Sequence, residues 1–199
     1  MISLIVLAAG KSTRMHGRNK LLAKIGGKPM IRRVVEIALS SKVDEVSVVL
    51  GWESDKIRAV LSDLPCRLIV NKNYDQGQST SVKMGLREVG KTTRAVLILP
   101  GDIAMIDTRS INNMLDAYSS YDKPILIASH DGKQGHPILL ARSLFTEIEA
   151  INEQTYGLKS VIQRHQGEVE LIETGSENVL RDCDTPEDLR RLQRSSPCT

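Results

Sequence analysis

Short runs of apolar residues, rich in β-branched side chains, recur along this chain at intervals that leave room for one helix between them. The first run, at residues 2–7, is apolar on both alternating faces apart from Ser3. A run of this kind predicts a strand buried inside a parallel sheet, because both of its faces must be covered. The same reasoning predicts further strands at residues 46–50, 67–70, 95–99 and 125–128.

Segments with helical spacing separate these runs. After Pro29, which suits the first position of a helix, the apolar residues fall on one helical face: Ile31, Val34, Val35, Ala38 and Leu39. Further helices are predicted at residues 55–61, 79–89 and 111–118. Strands that alternate with helices at short intervals predict an α/β fold. We expect a Rossmann-like, three-layer arrangement with a mostly parallel central sheet and helices on both faces.

The regular alternation of strands and helices ends after Gly132. We predict a strand at residues 137–140, helices at 144–151 and 158–165, and late strands at 169–172 and 179–180. Neither a repeat nor a linker interrupts the 199 residues, so we expect a single domain with two halves, residues 1–131 and 132–194.

Charge and composition narrow the kinds of partner. The formal net charge is +3, and the 26% of residues that are charged have their signs mixed along the chain. Nucleic-acid binding favours clustered Lys and Arg together with aromatic stacking positions, whereas aromatic residues make up only 3% here. We therefore expect no nucleic-acid partner, and an anionic small molecule suits this charge.

The sequence contains neither a membrane-segment pattern nor a metal-binding cysteine pattern. No run is long and apolar enough to span a bilayer, and the apolar start is too short for a signal peptide. The three cysteines, Cys66, Cys183 and Cys198, form no CxxC pair, which argues against a zinc site and a disulfide framework. We expect a cytoplasmic protein with reduced thiols and no membrane partner.

A polar, glycine-containing loop follows the first predicted strand. Its sequence, LAAGKSTRM, matches neither GxGxxG nor the P-loop pattern, which would need a glycine where Ile5 stands. The loop is still a candidate phosphate site, because ligands of open α/β sheets bind beyond the carboxyl ends of the strands. The small residues Ala8, Ala9 and Gly10 allow close approach, and the N–H groups through Ser12 and Thr13 can hold phosphate oxygens.

Two cations flank this loop. Arg14 offers a guanidinium fork and Lys20 a point charge, and both suit phosphate groups. Neither residue has an obvious acidic partner in the sequence. Ordinary solvated surface cations are the alternative that these two residues alone leave open.

Two acidic residues stand at the edges of predicted elements. Asp102 follows the fourth strand, and Asp184 precedes a final helix predicted at residues 185–192. Turn chemistry is an equally good explanation for Asp102, and Thr185 with Asp188 can form a capping box that does not need Asp184. Two carboxylates from distant parts of a chain can also hold one Mg²⁺, whose other ligands are waters and phosphates.

Further polar residues occupy positions that suit a ligand. Ser79 and Ser81 follow Gly77 where a helix is predicted to begin, so that one of them is expected to cap it. Contact with a nucleotide base is the other interpretation, with Gln78 as a possible contributor. His136 is a lone histidine, for which a structural role competes with acceptor binding. No constellation is evident around His16, His130 or His165.

Taken together, these segments resemble a known signature. VLAAGKSTRM, followed by NKLL, is similar to the signature of the MobA-like nucleotidyltransferases, which activate sugars, isoprenoid precursors and molybdopterin. The family's later segments resemble NKNYDQGQSTSVKMGL, PGDIAMI, GHPILL and RDCDTPEDL, which follow here in the same order. The resemblance covers nearly the whole chain and is closest to the molybdenum cofactor cytidylyltransferase branch.

The resemblance implies a nucleotidyltransferase fold and transfer of CMP from CTP to molybdopterin carrying molybdenum, with release of pyrophosphate. It makes Arg14, Lys20, Asp102 and Asp184 catalytic, places Mg²⁺ on the two aspartates and puts His136 at the acceptor. Residues 1–131 would bind the nucleotide, and residues 132–194 would bind the acceptor and complete the metal site. The nucleotide contacts would be Leu7, Ala8, Ala9, Gly10, Ser12, Thr13, Gln78, Ser79 and Ser81.

Several alternatives remain open within and beyond this resemblance. The same chemistry could use GTP with the same cofactor, or CTP with a phosphorylated sugar or alcohol. A non-catalytic nucleotide-binding protein is a rival of another class.

The family's usual proline after the GDx element is Ala104 here, which implies a slightly altered turn with retained metal binding. Asp182 is expected next to the metal ligands or at the acceptor, and the cofactor implies transient contact with a molybdoenzyme.

Overall fold

The computed structural model describes residues 1–15 and 17–195. Its strands, in chain order, are β1 (Ile2–Ala8), β2 (Lys24–Ile25), β3 (Lys28–Pro29), β4 (Glu45–Leu50), β5 (Arg67–Val70), β6 (Ala95–Pro100), β7 (Ile125–His130), β8 (Lys133–Ala141) and β9 (Val169–Glu173). Its α-helices are α1 (Met30–Leu39), α2 (Ser54–Leu61), α3 (Gln78–Arg87), α4 (Thr108–Ser120), α5 (Phe145–Glu149), α6 (Leu158–Arg164) and α7 (Pro186–Ser195).

Seven strands of the described residues form a central sheet in the order β5-β4-β1-β6-β8-β7-β9. Strands β1, β4, β5 and β6 run parallel to one another, and β9 runs parallel to β7. Strand β8 lies between β6 and β7 and is antiparallel to both, while β2 and β3 form a small separate hairpin. The predicted α/β fold with a mostly parallel central sheet is therefore confirmed.

The side chains of β1 alternate between two hydrophobic cores, one on each face of the sheet. Leu4 and Val6 pack with α1, α2 and α4, whereas Ile5 and Leu7 pack with α3, α5 and α6. This two-sided burial is the reason that the strand is apolar on both faces. Gly85 lets α3 lie close against β1, because a Cβ at that position would be 2.6 Å from Cγ2 of Ile5.

The predicted late strand at residues 179–180 is wrong. Residues Glu177–Leu180 form a 3₁₀ turn, and the side chain of Val179 is fully buried. The turn lies directly on β8, since a Cβ at Gly135 would be 2.2 Å from the carbonyl oxygen of Val179. The apolar pair in the sequence thus reflects packing against the sheet and not pairing within it.

The final helix begins as predicted. Oγ1 of Thr185 accepts a hydrogen bond from the backbone N–H of Asp188 at 3.1 Å, and Oδ2 of Asp188 accepts one from the N–H of Thr185 at 2.9 Å. Pro186 is the first residue of α7. This capping box holds the segment that carries Asp184 in front of the helix.

Two of the cysteines are buried to different extents and remain free. Cys66 is half-buried and Cys183 is buried, whereas Cys198 lies outside the described residues. Burial raises the pKa of Cys66 and raises that of Cys183 to about 11, so both thiols stay protonated near neutral pH. None of the helices in the described part of the chain has the length and apolar character that a bilayer crossing needs.

Candidate active site

A cleft opens at the edge of the sheet where β1 and β6 end, which is where open α/β sheets bind ligands. We call it the main cleft, and its volume is about 320 Å³. It is lined by the loop after β1, the first turn of α3 and the end of β6: Leu7, Ala9, Gly10, Ser12, Lys20, Leu21, Tyr74, Gly77, Gln78, Ser81, Pro100 and Asp102. A larger surface depression of about 610 Å³ lies at the start of β7, but none of the predicted site residues lines it.

The predicted ligand contacts occupy different places around this cleft. Most of them line it, and Arg14 and Asp184 join it through ion pairs described below. Ser79 and His136 line a neighbouring cavity. Ala8 is buried in the core beneath α1, and Thr13 is exposed and does not line the cleft.

The loop after β1 folds around Ser12, whose φ of 51° is uncommon for a residue other than glycine. The carbonyl oxygen of Ser12 accepts from the N–H of Met15 at 2.9 Å, and its Oγ accepts from the N–H of Lys20 at 3.2 Å. Within residues 1–15 and 17–195, the N–H groups of Lys11, Ser12 and Thr13 find no acceptor. Adjacent free N–H groups of this kind can bind phosphate oxygens.

An ionic centre of four side chains stands beside this loop. Nζ of Lys20 lies 2.5 Å from Oδ2 of Asp102 and 2.9 Å from Oδ1 of Asp184. Nη2 of Arg14 lies 2.9 Å from the other carboxylate oxygen of Asp184. The two cations therefore have acidic partners that are not obvious in the sequence. Their partners are distant in sequence, 82 residues from Lys20 in one case and 164 in the other.

The electrostatics of this centre favour the charged forms of Lys20 and Asp184. Burial by itself would lower the pKa of Lys20, but the charges and hydrogen bonds of Asp102 and Asp184 outweigh it and raise that pKa. Burial would likewise raise the pKa of Asp184, but Lys20 and then Arg14 lower it. For Asp182, burial and the nearby negative charges of Asp184 and Asp102 raise the pKa.

The donor set of Asp102 and Asp184 fits a hard divalent cation. The two carboxylates converge on one ammonium group, and a backbone hydrogen bond from the N–H of Cys183 to the carbonyl of Asp102 at 3.2 Å joins the two segments. Among the described residues, no group of three or more His, Cys, Asp or Glu side chains has metal-binding geometry. The two convergent carboxylates by themselves suit a hard cation such as Mg²⁺, which takes one or two carboxylates from a protein and completes its shell with water and phosphates.

The turn that carries Asp102 contains Ala104, at the position where the resemblance implies a proline. Ala104 is fully buried, and its carbonyl accepts from Nε of Arg33 at 3.1 Å. The N–H of Ile103 donates to the carbonyl of Pro100 at 3.3 Å, which closes the turn. Burial and these two hydrogen bonds hold the turn without a proline ring.

The first turn of α3 is capped by a residue that the sequence did not suggest. Gly77 stands at the N-cap position and has no side chain to cap the helix, and Oε1 of Glu153 accepts from the N–H of Ser79 at 2.6 Å. The expectation that Ser79 or Ser81 caps this helix is therefore wrong. A carboxylate is favoured at a helix N-terminus, which explains why Glu153 can replace a local hydroxyl.

Asn71 is a second residue that sequence reasoning missed. It is 1% exposed, and its Nδ2 donates to Oγ of Ser81 at 3.0 Å and to Oγ1 of Thr80 at 2.8 Å. Ser81 thus accepts a hydrogen bond from behind and keeps its own O–H for a ligand in the main cleft. The available signal was its position directly after the strand β5, at the carboxyl edge of the sheet.

A second cavity, which we call the side cavity, adjoins the main cleft and shares Leu7 and Gln78 with it. Its volume is about 230 Å³, and its polar lining is Gln78, Ser79, His136, Glu153, Tyr156 and Lys159. Nδ1 of His136 is buried and has no hydrogen-bond partner in the described part of the chain. Burial lowers the pKa of His136, and the charge of Asp102 only partly opposes this, so the ring is neutral near pH 7.

Two other histidines, for which the sequence shows no constellation, lie close to carboxylates in the structure. Nε2 of His165 lies 2.7 Å from Glu147 and its Nδ1 lies 2.8 Å from Glu168, while Nδ1 of His130 lies 3.3 Å from Glu173. Hydrogen bonds to Glu168 and Glu147 raise the pKa of His165. Neither histidine lines the main cleft or the side cavity, and His16 lies outside the described residues.

Comparison with known proteins adds evolutionary evidence to this geometry. The bifunctional protein GlmU of Neisseria meningitidis serogroup C is 34% identical over 118 residues, which is 58% of this chain and 25% of that protein. The chain spans about a quarter to a third of the length of the curated relatives that it matches.

Two solved structures show the same fold. A Mycobacterium tuberculosis protein solved as a manganese complex has a TM-score of 0.82 and 22% identity, with 98% of each chain covered. Molybdopterin-guanine dinucleotide biosynthesis protein A from Archaeoglobus fulgidus has a TM-score of 0.73 and 17% identity, with 97% of each chain covered. At these identities the likeness concerns the fold alone.

A family model adds evidence at the level of sequence. The model of the MobA-like NTP transferase domain matches residues 4–169. The match includes the loop after β1, the turn of Asp102 and the segment of His136. Because it covers most of the chain and agrees with the fold and with the predicted resemblance, this chain belongs to the MobA-like NTP transferase domain family.

Proposed function

We propose that this chain is a nucleotidyltransferase that moves CMP from CTP to the phosphate of molybdopterin carrying molybdenum, with release of pyrophosphate. The observation that carries the proposal is the ionic centre of Lys20, Asp102 and Asp184 beside a loop with free N–H groups. Membership of the MobA-like family supports the reaction class. The choice of nucleotide and acceptor rests on the resemblance of the sequence motifs to the molybdenum cofactor cytidylyltransferase branch.

The chain's own groups suit the binding of a triphosphate. The free N–H groups of the loop after β1 would bind phosphate oxygens, with Lys20 and Arg14 as the adjacent cations. An oxygen of the acceptor phosphate would attack the α-phosphorus, and the bond to pyrophosphate would break. This nucleophile is already ionised, so no general base is needed. Positioning and charge neutralisation would supply most of the rate acceleration.

Asp102 and Asp184 would hold the divalent cation, Mg²⁺ in our proposal. When bound, such a cation neutralises charge on the phosphates of the nucleotide and of the leaving pyrophosphate. The manganese complex of the M. tuberculosis structural neighbour supports a divalent metal in this fold. Lys20 would move from the carboxylates toward the phosphates as the nucleotide and the cation enter.

The two halves of the chain would divide the work within a single domain. Residues 1–131 supply the loop, the first turn of α3 and Asp102, while residues 132–194 supply His136, Glu153 and Asp184. We further propose a cytoplasmic location and a transient contact with a molybdoenzyme, because both follow from molybdenum cofactor as the acceptor. Neither a nucleic acid nor a membrane takes part in this reaction.

We expect a preference for CTP over GTP, ATP and UTP. A mismatched base would leave buried polar groups such as Oγ of Ser81 unpaired. The free-energy cost of each unpaired group weakens the affinity for that nucleotide by about 5- to 150-fold. Pyrophosphate release should be measured for each NTP at equal concentration with Mg²⁺ and molybdenum cofactor. Faster release from GTP would make the protein a guanylyltransferase, and equal release from all four would exclude base recognition by this pocket.

The acceptor should depend on His136. Replacement of His136 by Ala should raise the KM for molybdenum cofactor by about five- to tenfold, the effect of one lost hydrogen bond, and leave CTP binding unchanged. The control is His130→Ala, because His130 lies outside both cavities. Unchanged acceptor kinetics in His136→Ala would contradict this role. Transfer to phosphorylated sugars or alcohols in a parallel panel, without transfer to molybdenum cofactor, would correct the acceptor.

A further inference from the structure

Three contacts join α3 to the last residue of α5 and to the segment that follows it. The N–H of Ser79 donates to Oε1 of Glu153 at 2.6 Å, Nζ of Lys83 donates to the carbonyl of Ile151 at 2.8 Å, and Nη2 of Arg87 donates to Oε2 of Glu149 at 2.7 Å. The α3 residues are four apart and so share one face of the helix, while their partners are two apart. We call this row the α3 clamp.

Glu153 is the end of the α3 clamp that packs against the lining of the main cleft. Its side chain lies directly against Gly77, where a Cβ would be 2.1 Å from Cγ of Glu153, and Gly77 has a φ of 106°. Gly77 and Gln78 line the main cleft, and Ser79 lines the side cavity. Glu153 therefore fixes the turn of backbone that presents Gln78 to a ligand.

The same residue begins the segment that forms the outer wall of the side cavity. Glu153–Thr155 is a 3₁₀ turn, closed by the side chain of Asn152, which accepts from the N–H of Thr155 at 3.0 Å. Tyr156 and Gly157 follow, both with positive φ, and both line the side cavity. The side chain of Tyr156 is 76% exposed there, although aromatic residues are rare in this chain.

We propose that Glu153 is a positioning residue that couples nucleotide binding in the main cleft to the ordering of residues 152–159 around the side cavity. The inference rests on the proposed function, in that the ligand of the main cleft is a nucleoside triphosphate. A ligand that orders the first turn of α3 fixes the N–H of Ser79. Because this N–H donates to the carboxylate of Glu153, the 3₁₀ turn that begins at Glu153 is ordered as well. Coupling of this kind is reciprocal, so an acceptor in the side cavity tightens nucleotide binding in turn.

Hydrogen–deuterium exchange with and without saturating CTP and Mg²⁺ tests the coupling. In the wild-type protein we expect slower exchange both in the loop at residues 10–13 and at residues 152–159. Glu153→Ala should keep the first effect, lose the second and weaken CTP binding by up to about fivefold, the effect of a lost helix N-cap. Glu153→Gln should restore much of both, because its amide oxygen can still accept the Ser79 N–H.

The control is Glu149→Ala, which breaks the solvent-exposed end of the α3 clamp and should leave both effects of CTP intact. Equal slowing at residues 152–159 in Glu153→Ala and wild type would overturn the coupling. The coupling would also be overturned if CTP slowed exchange only at residues 10–13 in the wild-type protein. That result would still support nucleotide binding. No protection of residues 10–13 by any of the four NTPs would overturn nucleotide binding itself, and this role with it.

Discussion

Asp102→Asn should lower turnover with saturating Mg²⁺ and CTP by about 10²–10³-fold, because a metal-binding charge contributes several kcal/mol to the transition state. The amide has nearly the same shape as the carboxylate but cannot neutralise Lys20 or a divalent cation. The fold should survive, since the link from the N–H of Cys183 to Asp102 uses the backbone carbonyl and not the side chain. Pyrophosphate release under single-turnover conditions measures the loss directly.

The matched control is Asp116→Asn. Asp116 also pairs with a lysine, Lys42, but both side chains of that pair are more than 60% exposed, against 15% for Asp102 and Lys20. An exposed pair contributes little, so this variant should turn over at the wild-type rate. Full activity of Asp102→Asn with Mg²⁺ present would contradict the metal role of Asp102 and leave the ionic centre with a structural role only.

The strands of the central sheet were predictable from their apolar runs, whereas the short strands β2 and β3 were missed. A strand such as β1, with Ile5 on one core and Leu4 on the other, is apolar on both faces apart from Ser3, and this pattern is local in the sequence. The capping box of Thr185 and Asp188 was predictable for the same reason, since its two residues are three apart. The apolar pair at residues 179–180 misled the prediction because burial alone does not distinguish a strand from a turn.

The ionic centre was not predictable at the level of its contacts. The residues Arg14, Lys20, Asp102 and Asp184 were all identified, but which of them would pair depends on β6 and the turn before α7 ending side by side. The cap of α3 failed in the same way, because Glu153 comes from 74 residues further along the chain. Local rules favour a serine there, and tertiary packing supplies a carboxylate instead.

The position of β8 was also hidden. The sequence shows an apolar run at residues 137–140, but strand order and direction are not encoded in apolar periodicity. The antiparallel insertion of β8 between β6 and β7 is what brings His136 to the carboxyl edge of β6, near Asp102. His136 therefore lies at the same edge of the sheet as Asp102, and this proximity follows from the strand order and not from any local sequence pattern.

Lys20→Met should lower turnover but strengthen metal binding. The reason is that Lys20 pairs with the carboxylates of Asp102 and Asp184 before the nucleotide binds, and with the phosphates afterwards. Turnover with CTP should fall by about 10–100-fold, as charge-assisted hydrogen bonds to the phosphates are lost. Divalent-cation binding without nucleotide should strengthen by at least about tenfold, because Asp102 and Asp184 lose the ammonium that now neutralises both. Titration of Mn²⁺ in the absence of nucleotide, followed by electron paramagnetic resonance of the free ion, measures the second effect.

Measuring both turnover and Mn²⁺ affinity distinguishes two roles for Lys20: a counter-ion that occupies the metal site, or a residue that only binds phosphate. A lysine that only binds phosphate would lose turnover and leave Mn²⁺ affinity as it was, and that result would contradict the exchange of Lys20 for the metal. Lys42→Met is the control, because its partner Asp116 is exposed and should gain no measurable Mn²⁺ site. Without CTP, the wild-type chain should bind Mn²⁺ weakly, because Lys20 occupies both carboxylates. When CTP draws Lys20 toward its phosphates, the carboxylates become available to the cation, so the nucleotide binds before the metal.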